Sequence, residues 1–246
     1  MAEPSMTVKD IGVRFGAFQA LGGVNIAIMP GKLHSIIGPN GAGKTTLFNV
    51  LTGQLRASEG RVLLGTRDIT GVSAYRRVHL GIARSFQVTN IFQNLTVAEN
   101  IRLAVQAVHA GEPWMFWRSA RARPEVDEIL ETTGLTRRAG DRAGVLSHGA
   151  QRALEIAMAL GSNPSLIFLD EPLAGMGIDD IHRTRELIRN LTQQRTVVLI
   201  EHNMRVVLDI SDRITVLSQG ATIAEGTPAE IRASPAVRTA YLGSGA

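Results

Sequence analysis

The chain has 246 residues, 44% of them hydrophobic, which is enough for a sizeable core in one large domain or two small ones. Its 26 basic and 22 acidic residues leave a formal charge of +4, too small a bias to favour nucleic-acid binding on electrostatics alone, although a modest attraction to an anionic membrane surface remains. The lack of cysteine excludes disulfides and thiolate metal sites; the opening MAEPSMTVKD has no basic-then-apolar leader and no 18 apolar residues run uninterrupted, so neither export nor a membrane span is expected and the expected location is cytosolic.

Residues 7–14 and 24–28 alternate in strand fashion, the second run ending at the Pro30-Gly31 turn. Residues 33–37 are a short apolar run that breaks into a glycine-containing loop, after which Leu47, Val50 and Leu51 fall at helical spacing. Another strand is expected over 60–64, followed by helices over 97–108, about 125–133 and 151–160. From Leu166 strands and helices alternate again: LIFLD, a helix near 181–191, TVVLI, a helix from Asn203, then RITVL and ATIAEG. The pattern predicts an α/β core interrupted by a helical insertion. GEPWMFWRSARARPE is the linker-like stretch, and no internal repeat is present.

GPNGAGKT, Gly38 to Thr45, fits G-x-x-x-x-G-K-[ST] between a predicted strand and a predicted helix. Glycines at 38, 41 and 43 let successive N–H groups turn inward, and the helix N-terminus adds its partial positive charge around a polyphosphate. Lys44 is expected to reach the β- and γ-phosphates and the Thr45 hydroxyl to bind Mg²⁺; Pro39, Asn40, Ala42 and Thr46 complete the predicted nucleotide-binding run. LIFLDEP then supplies four apolar residues of a buried strand with two carboxylates at its C-terminal end. Asp170 suits the metal, and Glu171 suits a general base that polarises the attacking water.

Between these elements stands LSHGAQRALEIAMAL, and here the chain resembles the ATP-binding cassette family, which carries an L-S-G-G-Q-like signature. The resemblance spans nearly the whole chain through five ordered motifs: the glycine loop, ARSFQ ending in Gln87, the signature, LDEP, and His202 in LIEHN. It implies an α/β fold with a P-loop NTPase core, a parallel sheet, an N-terminal antiparallel β region and a helical subdomain inserted at about 88–162, all within one nucleotide-binding domain over 1–246. ARSFQVTNIFQNLTVAENI and GTPAEIRASPAVRTAYLG resemble the ATPases of branched-chain amino acid importers and their urea-import relatives.

The resemblance also implies that one ATP sits between two such domains packed head to tail, so a second ATP-binding subunit, identical or not, is a partner. By the same likeness Ser147 and the Gly149 backbone touch the γ-phosphate held by the partner's loop, helped by the dipole of the following helix; Ser147 is also placed to cap that helix. The family likeness assigns Gln87 to catalysis and the metal, and has His202 steady charge on the transferred phosphoryl group. Phe15 is placed like the aromatic on which adenine stacks, with a core position for Phe15 or Phe18 as the alternative. The signature departs from the family in His148 and Ala150, and Gly177 stands where an aspartate is common, with Asp179 or Asp180 as substitutes. His148 is expected in an ordinary helix-entry conformation, its side chain facing the partner subunit.

The implied function is ATP hydrolysis that energises uptake through separate integral-membrane permease subunits. A solute-binding protein takes part indirectly, no nucleic acid does, and the chain lies peripherally on the inner face of the cell membrane. The rival is a soluble ATPase of the same cassette type acting on DNA or ribosomes; such proteins usually fuse two cassettes or insert long coiled coils, and no sustained heptads occur here. After Gln87, Ile91, Phe92 and Leu95 among polar residues suit a groove that receives a permease helix, or else pack the insertion onto the core.

Overall fold

The computed structural model describes residues 3–85, 91–108 and 122–242, and these form two compact units: Met1–Arg77 with Leu191–Ala246, and Val78–Asn190. The first unit runs through β1 (Met6–Phe15), β2 (Phe18–Ile28), β3 (Leu33–Ile37), α1 (Lys44–Leu51), β4 (Glu59–Leu64), β5 (Arg67–Asp68) and α2 (Ala74–Val78), whose last residue opens the second unit. The second contains β6 (Ile82–Arg84), α3 (Val97–Val108), α4 (Ala122–Thr132), α5 (His148–Leu160), β7 (Leu166–Asp170) and α6 (Ile178–Leu191), whose last residue returns to the first. There the chain continues through β8 (Thr196–Ile200), α7 (Met204–Ile210), β9 (Arg213–Ser218), β10 (Ala221–Gly226), α8 (Pro228–Ala233) and α9 (Pro235–Leu242).

In the first unit β2-β1-β4-β5 make an antiparallel sheet, and β10-β9-β3-β8 make a second sheet in which β3 runs parallel to both neighbours. Every residue of β3 and β8 is buried, as expected of apolar strands covered on both faces. The polar residues of β3 are paired inside: His34 Nε2 lies 2.8 Å from Thr215 Oγ1, and Ser35 Oγ lies 2.6 Å from Ser211 Oγ. Ile36 sits opposite Ile200, so the chains leaving β3 and β8 emerge at the same end of the sheet.

A buried cation ties α2 to α1. Arg77, 1% exposed, donates to the Val50 and Leu51 carbonyls at 2.8 and 2.6 Å and to Ile69 and Val72 at 2.7 and 2.9 Å. The guanidinium thus satisfies carbonyls at the end of α1 that the helix cannot satisfy itself.

The predicted antiparallel region and parallel strands are present, and the helix over 97–108 has the expected bounds. Not foreseen were β5, α2, β6, α8 and α9. The last two each begin at a proline, Pro228 and Pro235, which reads as a breaker in sequence but is preorganised for the first turn of a helix. Thr227 and Glu230 add a capping box to α8.

Candidate active site

The predicted site residues are divided between the units. Phe15, Gly38 to Thr46 and His202 lie in the first; Ser147, Gly149, Asp170 and Glu171 lie in the second. Gln87 lies outside the described residues.

In the first unit, β3 delivers the chain into the glycine loop, and α1 begins at Lys44 with Gly43 at φ 96° as its N-cap and no side-chain cap. A helix start of that kind offers its first-turn N–H groups to an anion. A Cβ on Gly38 would strike the Leu217 carbonyl of β9, so the loop root must be glycine. Lys44 is buried to 9% exposure, and its ammonium donates to the Gly38 and Pro39 carbonyls at 2.8 and 2.9 Å. Asn40, Gly41 and Thr45 are exposed around it, with Thr46 half-buried and Ala42 buried. His202 follows β8 with its side chain 59% exposed, Nδ1 3.9 Å from Oε2 of buried Glu201, and Asn203 caps α7 by accepting from the Val206 N–H. Phe15 and Phe18 are 51% and 67% exposed at the tip of the β1–β2 hairpin, which removes the core alternative for both.

In the second unit, β7 pairs in parallel with β6, and Asp170 closes β7 at 3% exposure. Its Oδ2 accepts from the Arg84 guanidinium at 3.2 Å, and its N–H donates to Ser85 Oγ at 3.3 Å. Burial raises the Asp170 pKa and Glu171 adds to the rise, while Arg84 and Arg152 oppose it. Glu171 has φ 45°, a left-handed conformation uncommon for a residue with a side chain and typical of strain held at a functional position.

Ser147 is the N-cap of α5 and accepts from the Ala150 N–H at 3.3 Å, so its capping role holds. Gly149 is buried, and a Cβ there would strike the Asp180 carboxyl, which puts Asp180 rather than Asp179 against the signature glycine. His148 is helical as expected, but its side chain is engaged within its own chain: Nε2 lies 3.3 Å from the Ala174 carbonyl. The turn before α6 offers that carbonyl within reach, and the side chain remains exposed.

Ile91 is buried, Leu95 half-buried and Phe92 53% exposed. The buried Asn100 side chain shapes this turn, accepting from the Phe92 N–H at 2.7 Å and donating to the Phe92 and Thr96 carbonyls at 3.1 and 2.9 Å. Four backbone bonds tie the same segment to the stretch that leads into Ser147: Gly144 and Ala143 donate to Gln93 and Leu95, and Val97 and Ala98 donate to Asp141 and Ala139.

The chain matches the ABC transporter family over residues 21–174. It belongs to that family. A second match, to the family described as branched-chain amino acid ATP-binding cassette transporter, covers residues 221–246. The ABC ATPase is 39% identical to the high-affinity branched-chain amino acid transport ATP-binding protein BraF of Pseudomonas aeruginosa, and 38% identical to LivG of Escherichia coli, with 99% of each chain covered in both comparisons. Among solved structures, the ADP conformation of MJ1267, an ATP-binding cassette of an ABC transporter, superposes with a TM-score of 0.85 at 34% identity, covering 99% of this chain and 100% of that one. A post-hydrolysis structure of the cassette MJ0796 with ADP and Pi, TM-score 0.75 at 27% identity and covering 91% and 98% of the two chains, is dimeric. Among the described residues of the ABC ATPase, no helix is long and apolar enough to cross a membrane.

Sequence reasoning did not single out Arg84 or Asn100. Arg84 stands within ARSFQ and Asn100 within VAENI, but neither stretch has a spacing that announces its partner.

Proposed function

We propose that this ABC ATPase energises an importer for branched-chain amino acids, or a related small solute such as urea or a short amide, through separate permease subunits. The observation that carries the reading is the likeness over 99% of both chains to proteins named for branched-chain amino acid transport, joined by the separate match of residues 221–246. The whole chain acts as one nucleotide-binding domain, peripheral on the inner face of the membrane, with a solute-binding protein supplying the transporter from outside.

In the proposed mechanism Lys44, Thr45 and the amides of the loop and α1 bind the phosphates, and Lys44 leaves its two carbonyl partners for them. Adenine stacks on the exposed Phe15 ring. Glu171 takes the proton of the attacking water, and His202 and Gln87 steady the transferred phosphoryl group. Mg²⁺ would be held by Thr45, Asp170 and Gln87, whose side-chain oxygens are hard donors, and would neutralise phosphate charge. A second ATP-binding subunit presents Ser147 and Gly149 to the γ-phosphate, and Phe92, held outward by Asn100, anchors the permease helix. The backbone bonds between 93–98 and 139–144 give that contact a rigid route to the signature.

Purification from the native membrane in mild detergent tests the reading. Recovery with an integral-membrane permease is expected; recovery only with ribosomes or DNA overturns it. Glu171→Gln is expected to retain ATP binding and lose at least about 10²-fold in turnover, and hydrolysis within a few-fold of the parent rejects Glu171 as the base.

A further inference from the structure

Glu201 carries a buried carboxyl group that the chemistry above leaves unused. It follows directly on β8, whose five residues are all buried, and is itself 1% exposed. A carboxyl group so far from water is costly unless donors or opposite charge compensate it. The next residue supplies part of that compensation. The His202 N–H donates to Glu201 Oε2 at 3.3 Å, and His202 Nδ1 stands at ion-pair distance, 3.9 Å, from the same oxygen. One carboxyl oxygen thus faces both the main chain and the ring of His202.

The chain beyond His202 is fixed as well. Asn203 caps α7 by accepting from the Val206 N–H at 3.4 Å. Val207 lies in a buried cluster with Ile37 of β3, Ile214 and Val216 of β9, Ile231 of α8 and Val237 of α9, and Met204 packs against it. The backbone at His202 therefore has a buried strand before it and a seated helix after it, while the imidazole is 59% exposed. A fixed backbone does not fix such a ring, which still turns about its own side-chain bonds. A carboxyl oxygen on its Nδ1 side does: with Nδ1–H drawn toward Oε2, Nε2 is the nitrogen presented outward.

We propose that Glu201 is a positioning residue for His202, orienting the imidazole so that Nε2 meets the transferred phosphoryl group; this rests on the reading of His202 as the group that steadies that charge. Closed off from solvent, Glu201 reaches the phosphoryl group only through His202. Its effect falls on turnover and not on ATP affinity, because orienting a group that acts on developing charge lowers the barrier without strengthening ground-state binding.

The test compares the full chain with its Glu201→Gln, His202→Ala and doubly substituted variants by single-turnover and steady-state ATPase kinetics and ATP binding titration, each well below its own melting temperature. Glutamine keeps the size of the side chain and an acceptor for the His202 N–H. Glu201→Gln is expected to lower kcat about 3–10-fold, the scale of one hydrogen bond, with the Kd for ATP within twofold. In the His202→Ala background the same substitution is expected to change the residual rate less than twofold, since no ring remains to be oriented. An equal loss in both backgrounds, or a loss confined to ATP affinity, makes Glu201 a structural residue and overturns the assignment. Unaltered kcat in Glu201→Gln, beside a His202→Ala variant that loses at least about 10²-fold, also overturns it and leaves the role of His202 standing. If His202→Ala hydrolyses ATP within a few-fold of the parent, the reading of His202 fails and the positioning role fails with it.

Discussion

Arg84 and Asp170 form an ion pair at 3.2 Å at the C-terminal ends of two paired parallel strands, with side chains 14% and 2% exposed. The carboxylate proposed to hold the metal thus already has a cationic neighbour that favours its charged form against burial. Removing Arg84 alone would leave a buried carboxylate uncompensated. Arg84→Met is expected to destabilise the fold by about 2–4 kcal/mol, and the double variant with Asp170→Asn to recover at least about 1 kcal/mol of the summed losses. Urea unfolding of both single variants and the double measures this. Additivity within about 0.5 kcal/mol would show that the pair contributes nothing specific.

His148 hydrogen-bonds within its own chain, so its replacement is a test of activity and not of folding. His148→Gly is expected to keep ATPase turnover within about threefold of the parent and to lower stability by no more than about 1 kcal/mol, the helix cost of glycine. A loss above tenfold in a folded variant would assign His148 an active role.

His34 gives the fold an acid limit. It is fully buried, and burial first, with Arg213 second, lowers its pKa from 6.5 to about 4. Because the folded value lies below the unfolded one, the neutral ring is the form that folding favours. The linkage is absent above about pH 6.5, and stability falls as pH drops from there to about 4, by roughly 3 kcal/mol in all. Chemical denaturation across that window should show the slope, and His34→Val should flatten it even though Thr215 then loses its partner. An unchanged slope in the variant would place the acid sensitivity elsewhere.

Arg77 holds five backbone carbonyls inside the first unit, and burial lowers its pKa to about 10, so it remains charged at neutral pH. Arg77→Met fills similar space but removes the guanidinium donor from each carbonyl, only Val50 and Ile69 keeping a backbone N–H partner among the described residues. The expected loss is about 2–4 kcal/mol in a denaturant titration, with Arg77→Lys intermediate because an ammonium cannot span the same fork. Stability within about 0.5 kcal/mol of the parent would mean that water serves the carbonyls equally well.

The sequence by itself determined the longer strands and helices of the α/β pattern, the glycine loop between β3 and α1 and the acidic end of β7, because each is written in neighbouring residues. Short runs such as LHSII and TVVLI, bounded by turn residues, read as buried strands, and glycines before Lys44 suit a turned loop at a helix start. Even the departure at His148 was legible as an ordinary helical residue, since nothing beyond local backbone was at stake. Tertiary structure decided which distant groups meet. Asn100 closing the turn at Phe92 and Arg84 beside Asp170 join residues 8 and 86 positions apart, and the sequence pattern singles out neither partner. The exposure of Phe15 was settled the same way: its hairpin ends in Phe15 opposite Phe18, and burial there depends on whether another element covers the tip.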